Sequence, residues 1–146
     1  MKDHLRDYAT AAFRFYAKNG KSAENYKMKI YEEALENISR SEGGSGISKP
    51  TESAIMAAER AVNGKIAEIK DMEAVELTLA ELRAKNRVDI VKAVEYVYFT
   101  EPEGEVDDIK TKVHTAELFI PASQRSIYYW LRQARQIFSI ERGLRF

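Results

Sequence analysis

The stretch TESAIMAAERAVNGKIAEIKDMEAVELTLAELRAK, Thr51–Lys85, decides the fold class. Ile55, Val62, Ile66, Ile69, Met72, Val75, Leu79 and Leu82 recur in it at threes, fours or one heptad. That spacing lines one side of an α-helix, whereas a half-buried strand would alternate with period two. Asn63-Gly64 weakens the middle, because glycine costs a helix about 1 kcal/mol relative to alanine. The segment therefore reads either as one helix of more than thirty residues or as two, with Asp71 a candidate cap for the second. Its narrow stripe, flanked by Glu and Lys, suits a coiled coil with a second copy or packing on the chain's own first helices.

Toward the N-terminus, Leu5, Tyr8, Ala9, Ala12, Phe13 and Tyr16 repeat at three and four and predict a helix that Asn19-Gly20 ends. A second helix starts near Ser22, a favoured N-cap residue, with Tyr26, Ile30, Ala34, Leu35 and Ile38 on its inner face. These two helices read as a helical hairpin. The Gly-rich segment 42–50 reads as a linker, because no Gly-Lys-Ser/Thr follows at the spacing of a phosphate loop.

Toward the C-terminus, residues 86–99 carry Val88, Val91, Val94, Val97 and Tyr98 on one helical face. An acidic loop follows from Glu101 to Asp108, then a short helix near 107–118, a turn at Phe119-Ile-Pro-Ala-Ser123, and a final helix from Ser123 to about Arg142. No segment alternates with period two. The expected fold is all-α: a helical hairpin and a long helix in residues 1–85, an interaction or oligomerisation region, followed by a helix-turn-helix module in residues 86–146.

Composition narrows the function classes. The chain has 146 residues, no cysteine and two histidines, which leaves no thiol nucleophile, disulfide framework or His/Cys zinc site. No carboxylate stands in a pattern with His, Ser or Gly-rich partners that would mark catalysis, so no enzyme, catalytic residue, metal or cofactor is expected. Apolar runs are too short to span a bilayer and the first residues lack a signal-peptide core, so the expectation is a cytoplasmic protein without membrane contact. The overall charge is zero, 23 basic against 23 acidic. From Ile109 to Phe146, however, seven basic side chains stand against two acidic, a net of +5. A basic segment on a neutral chain is a local footprint for phosphate.

In the final helix, Ile127, Trp130, Leu131, Ala134, Ile137 and Phe138 form the apolar stripe, which turns Gln124, Arg125, Tyr128, Tyr129, Arg132, Arg135 and Gln136 outward. Ser123 caps the helix and leaves its first turn open to a major groove. There Arg125 has the two donors that pair with guanine, and Gln124 the donor and acceptor that pair with adenine. Tyr128, Tyr129, Arg132 and Arg135 lie farther along, where phosphate contacts position a duplex. Lys110 and Lys112 on the short helix are expected to clamp the backbone. The alternative for such a helix is a solvated, Arg-rich surface with no ligand.

The segment SQRSIYYWLRQAR, Ser123–Arg135, resembles the recognition helix of sigma factor region 4 and, more closely, that of RinA- and ArpU-like phage late-gene transcriptional regulators. Their pattern falls here on Ser123, Ser126, Ile127, Tyr128, Leu131 and Ala134. The upstream RVDIVKAVEYVYF, Arg87–Phe99, is similar to the helix that precedes the motif. This resemblance covers about 60 residues, 86–146, and departs from the pattern at Leu118-Phe119-Ile120-Pro121, where a glycine is common. It implies a phage or bacterial regulator that binds duplex DNA and acts with RNA polymerase; the stripe of the long helix adds a second copy of the chain as a further expected partner. Two alternatives stand beside it. One is a phage DNA-packaging subunit of the small terminase kind; the other is a helical protein-interaction module that never touches DNA.

Overall fold

The computed structural model describes residues 3–41, 51–100 and 109–144. The expected linker 42–50 and acidic loop 101–108 lie outside the described residues. Those described form seven helices and no strand: α1 (His4–Lys18), α2 (Ala23–Ser41), α3 (Glu52–Gly64), α4 (Ile66–Ala84), α5 (Val88–Tyr98), α6 (Ile109–Ala116) and α7 (Gln124–Arg142). The all-α expectation holds.

Helix α4 is central. Ile69, Met72, Ala74, Val75, Thr78, Leu79 and Leu82 are all buried, and their positions wrap around much of the helix rather than along one stripe. A helix apolar on several sides has to be enclosed by others, and α1, α2, α5 and α7 all pack against it. The buried Thr78 hydroxyl donates to the Ala74 carbonyl at 2.7 Å, so no polar group is stranded there.

Two expectations about the N-terminal half are corrected. The long apolar segment is two helices, broken at Lys65 (φ −112°, ψ 17°) immediately after Gly64. Asp71 lies inside α4 and caps nothing at its start. The stripe of α4 is consumed in the chain's own core, so it does not remain open for a coiled coil with a second copy. Second, α1 and α2 do not pack along each other as a hairpin. They meet near the turn, where Phe15 and Tyr26 stand edge to face at 5.5 Å. Helix α1 instead buries Ala9, Ala12, Phe13 and Tyr16 against α4, α5 and α7. Helix α2 lies alongside α3. The turn between α1 and α2 runs through Gly20 and Lys21, both at positive φ (89° and 56°).

One buried cluster joins the two halves of the chain. It holds Phe13 and Tyr16 of α1, Leu79 and Leu82 of α4, Val94 and Tyr98 of α5, Val113 of α6, and Ile127, Leu131 and Phe138 of α7. Phe13 stacks on Tyr98 at 5.4 Å and tilts against Phe138 at 5.6 Å. The boundary expected between residues 85 and 86 therefore runs through a shared core. Val88, expected inward, is 44% exposed at the start of α5.

Polar contacts set the helix ends. Glu76 of α4 accepts from the Ala23 amide at 3.2 Å and lies 3.3 Å from the Tyr16 hydroxyl, so a tertiary carboxylate satisfies the start of α2. Ser22 adds a bond from the Asn25 amide. At the end of α4, Asn86 takes φ 59° and the amides of Asn86 and Arg87 donate back to Arg83 and Leu82, a Schellman closure.

Candidate nucleic-acid interface

Helix α7 is seated by Ile127, Leu131, Ala134 and Phe138, each at most 1% exposed, with Trp130 and Ile137 half-buried beside them. That seating orients the opposite side outward. Arg125 and Arg132 are exposed and make no hydrogen bond or ion pair with any described residue. Tyr128 and Tyr129 are 42% and 59% exposed. The helix is closed at both ends. Ser123 Oγ accepts from the Ser126 amide at 3.2 Å, and Gly143 (φ 77°) lets its own amide and that of Leu144 reach the Ile140 and Ser139 carbonyls.

Several residues expected to face a ligand are engaged within the protein. Ser123 and Ser126 share the cap, their hydroxyls 3.1 Å apart. The Gln124 amide nitrogen lies 2.8 Å from His114 Nδ1 and donates to Glu117 at 3.0 Å, which fastens the first turn of α7 to α6 and its following turn. Arg135 is half-buried and donates to the Tyr98 hydroxyl at 2.9 Å.

Lys112 departs from the expected role as a backbone clamp. It is 9% exposed, and its ammonium donates to the carbonyl and hydroxyl of Thr100 at 2.7 and 2.6 Å. The reason is helical geometry: residues two apart point to opposite sides, so Lys110, which is exposed, and Lys112 cannot present one surface together. The ammonium of Lys112 instead closes the end of α5.

The structure brings Lys110, Tyr128, Tyr129, Arg132 and Arg135 around one groove of about 600 Å³. Its other wall comes from α1, through Arg6, Asp7 and Thr10, with Tyr98, Ile109 and Leu131 beneath. Arg125 does not line it and stands exposed on the first turn of α7. An adjoining depression of about 410 Å³ continues past Arg132 toward Asp3, Leu5 and Gln136. The sequence reading placed α1 as a helix but gave it no part in the site. A signal was available, because Thr10 interrupts the apolar face of that helix and Arg6 stands one turn before it.

No described helix is long and apolar enough to cross a membrane. Comparison of this chain with protein-family models, curated proteins and solved structures finds no match.

Proposed function

We propose that α6, the turn after it and α7 act as a helix-turn-helix of the sigma region 4 kind, and that the protein regulates transcription by binding duplex DNA with α7 in the major groove. One observation carries this reading: α7 is locked to the core on one side while the other presents Arg125 and Arg132 without partners among the described residues. Unpaired arginines on a rigid, capped helix supply base-edge and phosphate donors without first breaking internal bonds. The C-terminal net charge of +5 supports the same reading. Gln124, whose amide is held by His114 and Glu117, takes a supporting part and Arg125 the reading part.

Contacts with RNA polymerase or a second copy fall, in this reading, to surfaces away from that face. Leu118 and Phe119, 79% and 69% exposed on the turn before α7, and the α2–α3 arm with Met28 and Met56 are available for them. The exposed Leu118-Phe119 pair also favours the second reading, a protein-interaction module.

A fluorescence-anisotropy titration with duplex fragments over a salt series, for wild type and Arg125→Ala, separates the readings. Under DNA binding, Arg125→Ala loses about 1–3 kcal/mol for one fragment and relaxes its sequence preference. Absence of binding at low salt rejects the regulator and leaves the interaction module. Sedimentation of the complex tests the packaging alternative, which requires a ring of many subunits.

A further inference from the structure

We propose that the groove between α1 and α7 is a nucleotide site, taking a nucleoside phosphate as a single unit. It adjoins the duplex-binding face of α7 and shares Lys110 and Arg132 with it, whereas the reader of that face, Arg125, lies outside the groove.

Three features of the groove point to that chemistry. Arg6, Lys110, Arg132 and Arg135 converge on it against the single acid Asp7, and Asp7 lies 3.6 Å from Arg6. Cations gathered along a concave groove raise the local potential toward an anion. Arg132 has no partner among the described residues, so its guanidinium is available to a phosphate. The rings of Tyr128 and Tyr129 are exposed at the same groove, and an exposed aromatic face is a stacking surface for a base of any sequence.

The third feature is independent of charge. Thr10 is 7% exposed, lines the groove, and its buried hydroxyl has no hydrogen-bond partner among the described residues. Buried hydroxyls in folded proteins are nearly always satisfied. A turn of the Thr10 side chain about its Cα–Cβ bond would bring this shielded hydroxyl to the groove, where a ligand bearing polar edges as well as charge would satisfy it, whereas a bare anion held by the arginines would not need it. The space, about 600 Å³, falls in the range of small-molecule sites.

The same chemistry has two sources, a free nucleotide or an unpaired nucleotide of a nucleic-acid strand, and the test distinguishes them. Isothermal titration calorimetry is run on the full chain with adenosine and guanosine monophosphates, with inorganic phosphate, and with a short oligothymidylate. Wild type is compared with Thr10→Val, Arg132→Ala, Arg125→Ala and the distant surface variant Lys29→Ala, each checked by thermal melting.

The expected result is saturable binding of a mononucleotide, of the oligonucleotide, or of both, with inorganic phosphate much weaker. Thr10→Val loses about tenfold in affinity and Arg132→Ala at least about tenfold, while Arg125→Ala and Lys29→Ala bind as wild type. Mononucleotide binding identifies a free nucleotide as the source, and oligonucleotide binding alone identifies a strand. Thr10→Val also melts no lower than wild type, since it removes an unsatisfied hydroxyl, so an affinity loss there is not a folding defect. The proposal is overturned by phosphate binding as tightly as nucleotide, by equal losses in Lys29→Ala, by an unaffected Thr10→Val, or by no binding of any probe. Duplex binding that Arg125→Ala weakens, with relaxed sequence preference, would leave the regulator reading intact whichever way this result falls.

Discussion

Arg142, in the last turn of α7, donates from Nε to Asp71 in the middle of α4 at 2.7 Å, and the Tyr8 hydroxyl of α1 donates to the same carboxylate oxygen at 2.7 Å. One side chain thus ties together three helices distant in sequence. The hydrogen bond to Asp71 raises the affinity of the Arg142 guanidinium for its proton. Both partners of the ion pair are about four-fifths buried, with side-chain exposures of 20% and 17%. Asp71→Ala leaves two donors without an acceptor in that setting and is expected to cost about 2 kcal/mol. Urea denaturation measures it, and a change below about 0.5 kcal/mol, the scale of a neutral surface substitution, would show that solvent replaces the bond.

Alkaline pH should weaken the fold. Burial, reinforced by Glu76, pushes the Tyr16 hydroxyl from 10.0 up to about 12, and burial with the bond to Glu68 does the same to Tyr26. Each group keeps its proton longer folded than unfolded. The stability it contributes is therefore complete below pH 10.0 and is lost as pH rises toward about 12. Melting temperatures measured across that window should fall, and Tyr16→Phe should flatten the decline; an equal slope in the variant assigns the loss to other groups.

Lys110 and Lys112 should separate function from stability. Lys112→Met removes the bonds to Thr100 and is expected to lower stability by about 1 kcal/mol while leaving DNA affinity unchanged. Lys110→Ala should do the reverse, reducing the salt dependence of duplex binding by about one phosphate contact. Parallel anisotropy and melting experiments decide it, and a loss of DNA affinity in Lys112→Met would return that lysine to the interface.

Gly143 carries the closure of α7 through its backbone alone. A Cβ there would meet nothing within 4 Å, yet φ is 77°. Gly143→Ala should consequently cost about 1 kcal/mol from conformation rather than from a clash, with Gly143→Asn milder. An unchanged urea midpoint would mean that the last turn of α7 unwinds without consequence.

Much of this architecture was legible in residue spacing. The all-α class, the cap at Ser123, the weak point at Gly64 and the inner face of α7 are local properties, set by backbone propensity and by which side chains recur every three or four residues. Ser123 accepts the Ser126 amide because cap geometry needs only residues three apart.

What the tertiary structure decided is which apolar faces meet, and periodicity carries no address for that. The Leu79–Leu82 stripe that suited a second copy is covered by helices of the same chain, and α1, adjacent to α2 in sequence, packs with α4 and α7 instead. Asp71 became a tertiary acceptor rather than a cap, and Lys112 an internal donor rather than a phosphate clamp. The groove of Arg6, Thr10 and Arg132 exists only because α1 lies beside α7. Hydrophobic burial is non-directional, so residue spacing specified which side of each helix must be covered, and only packing the whole chain selected the helix that covers it.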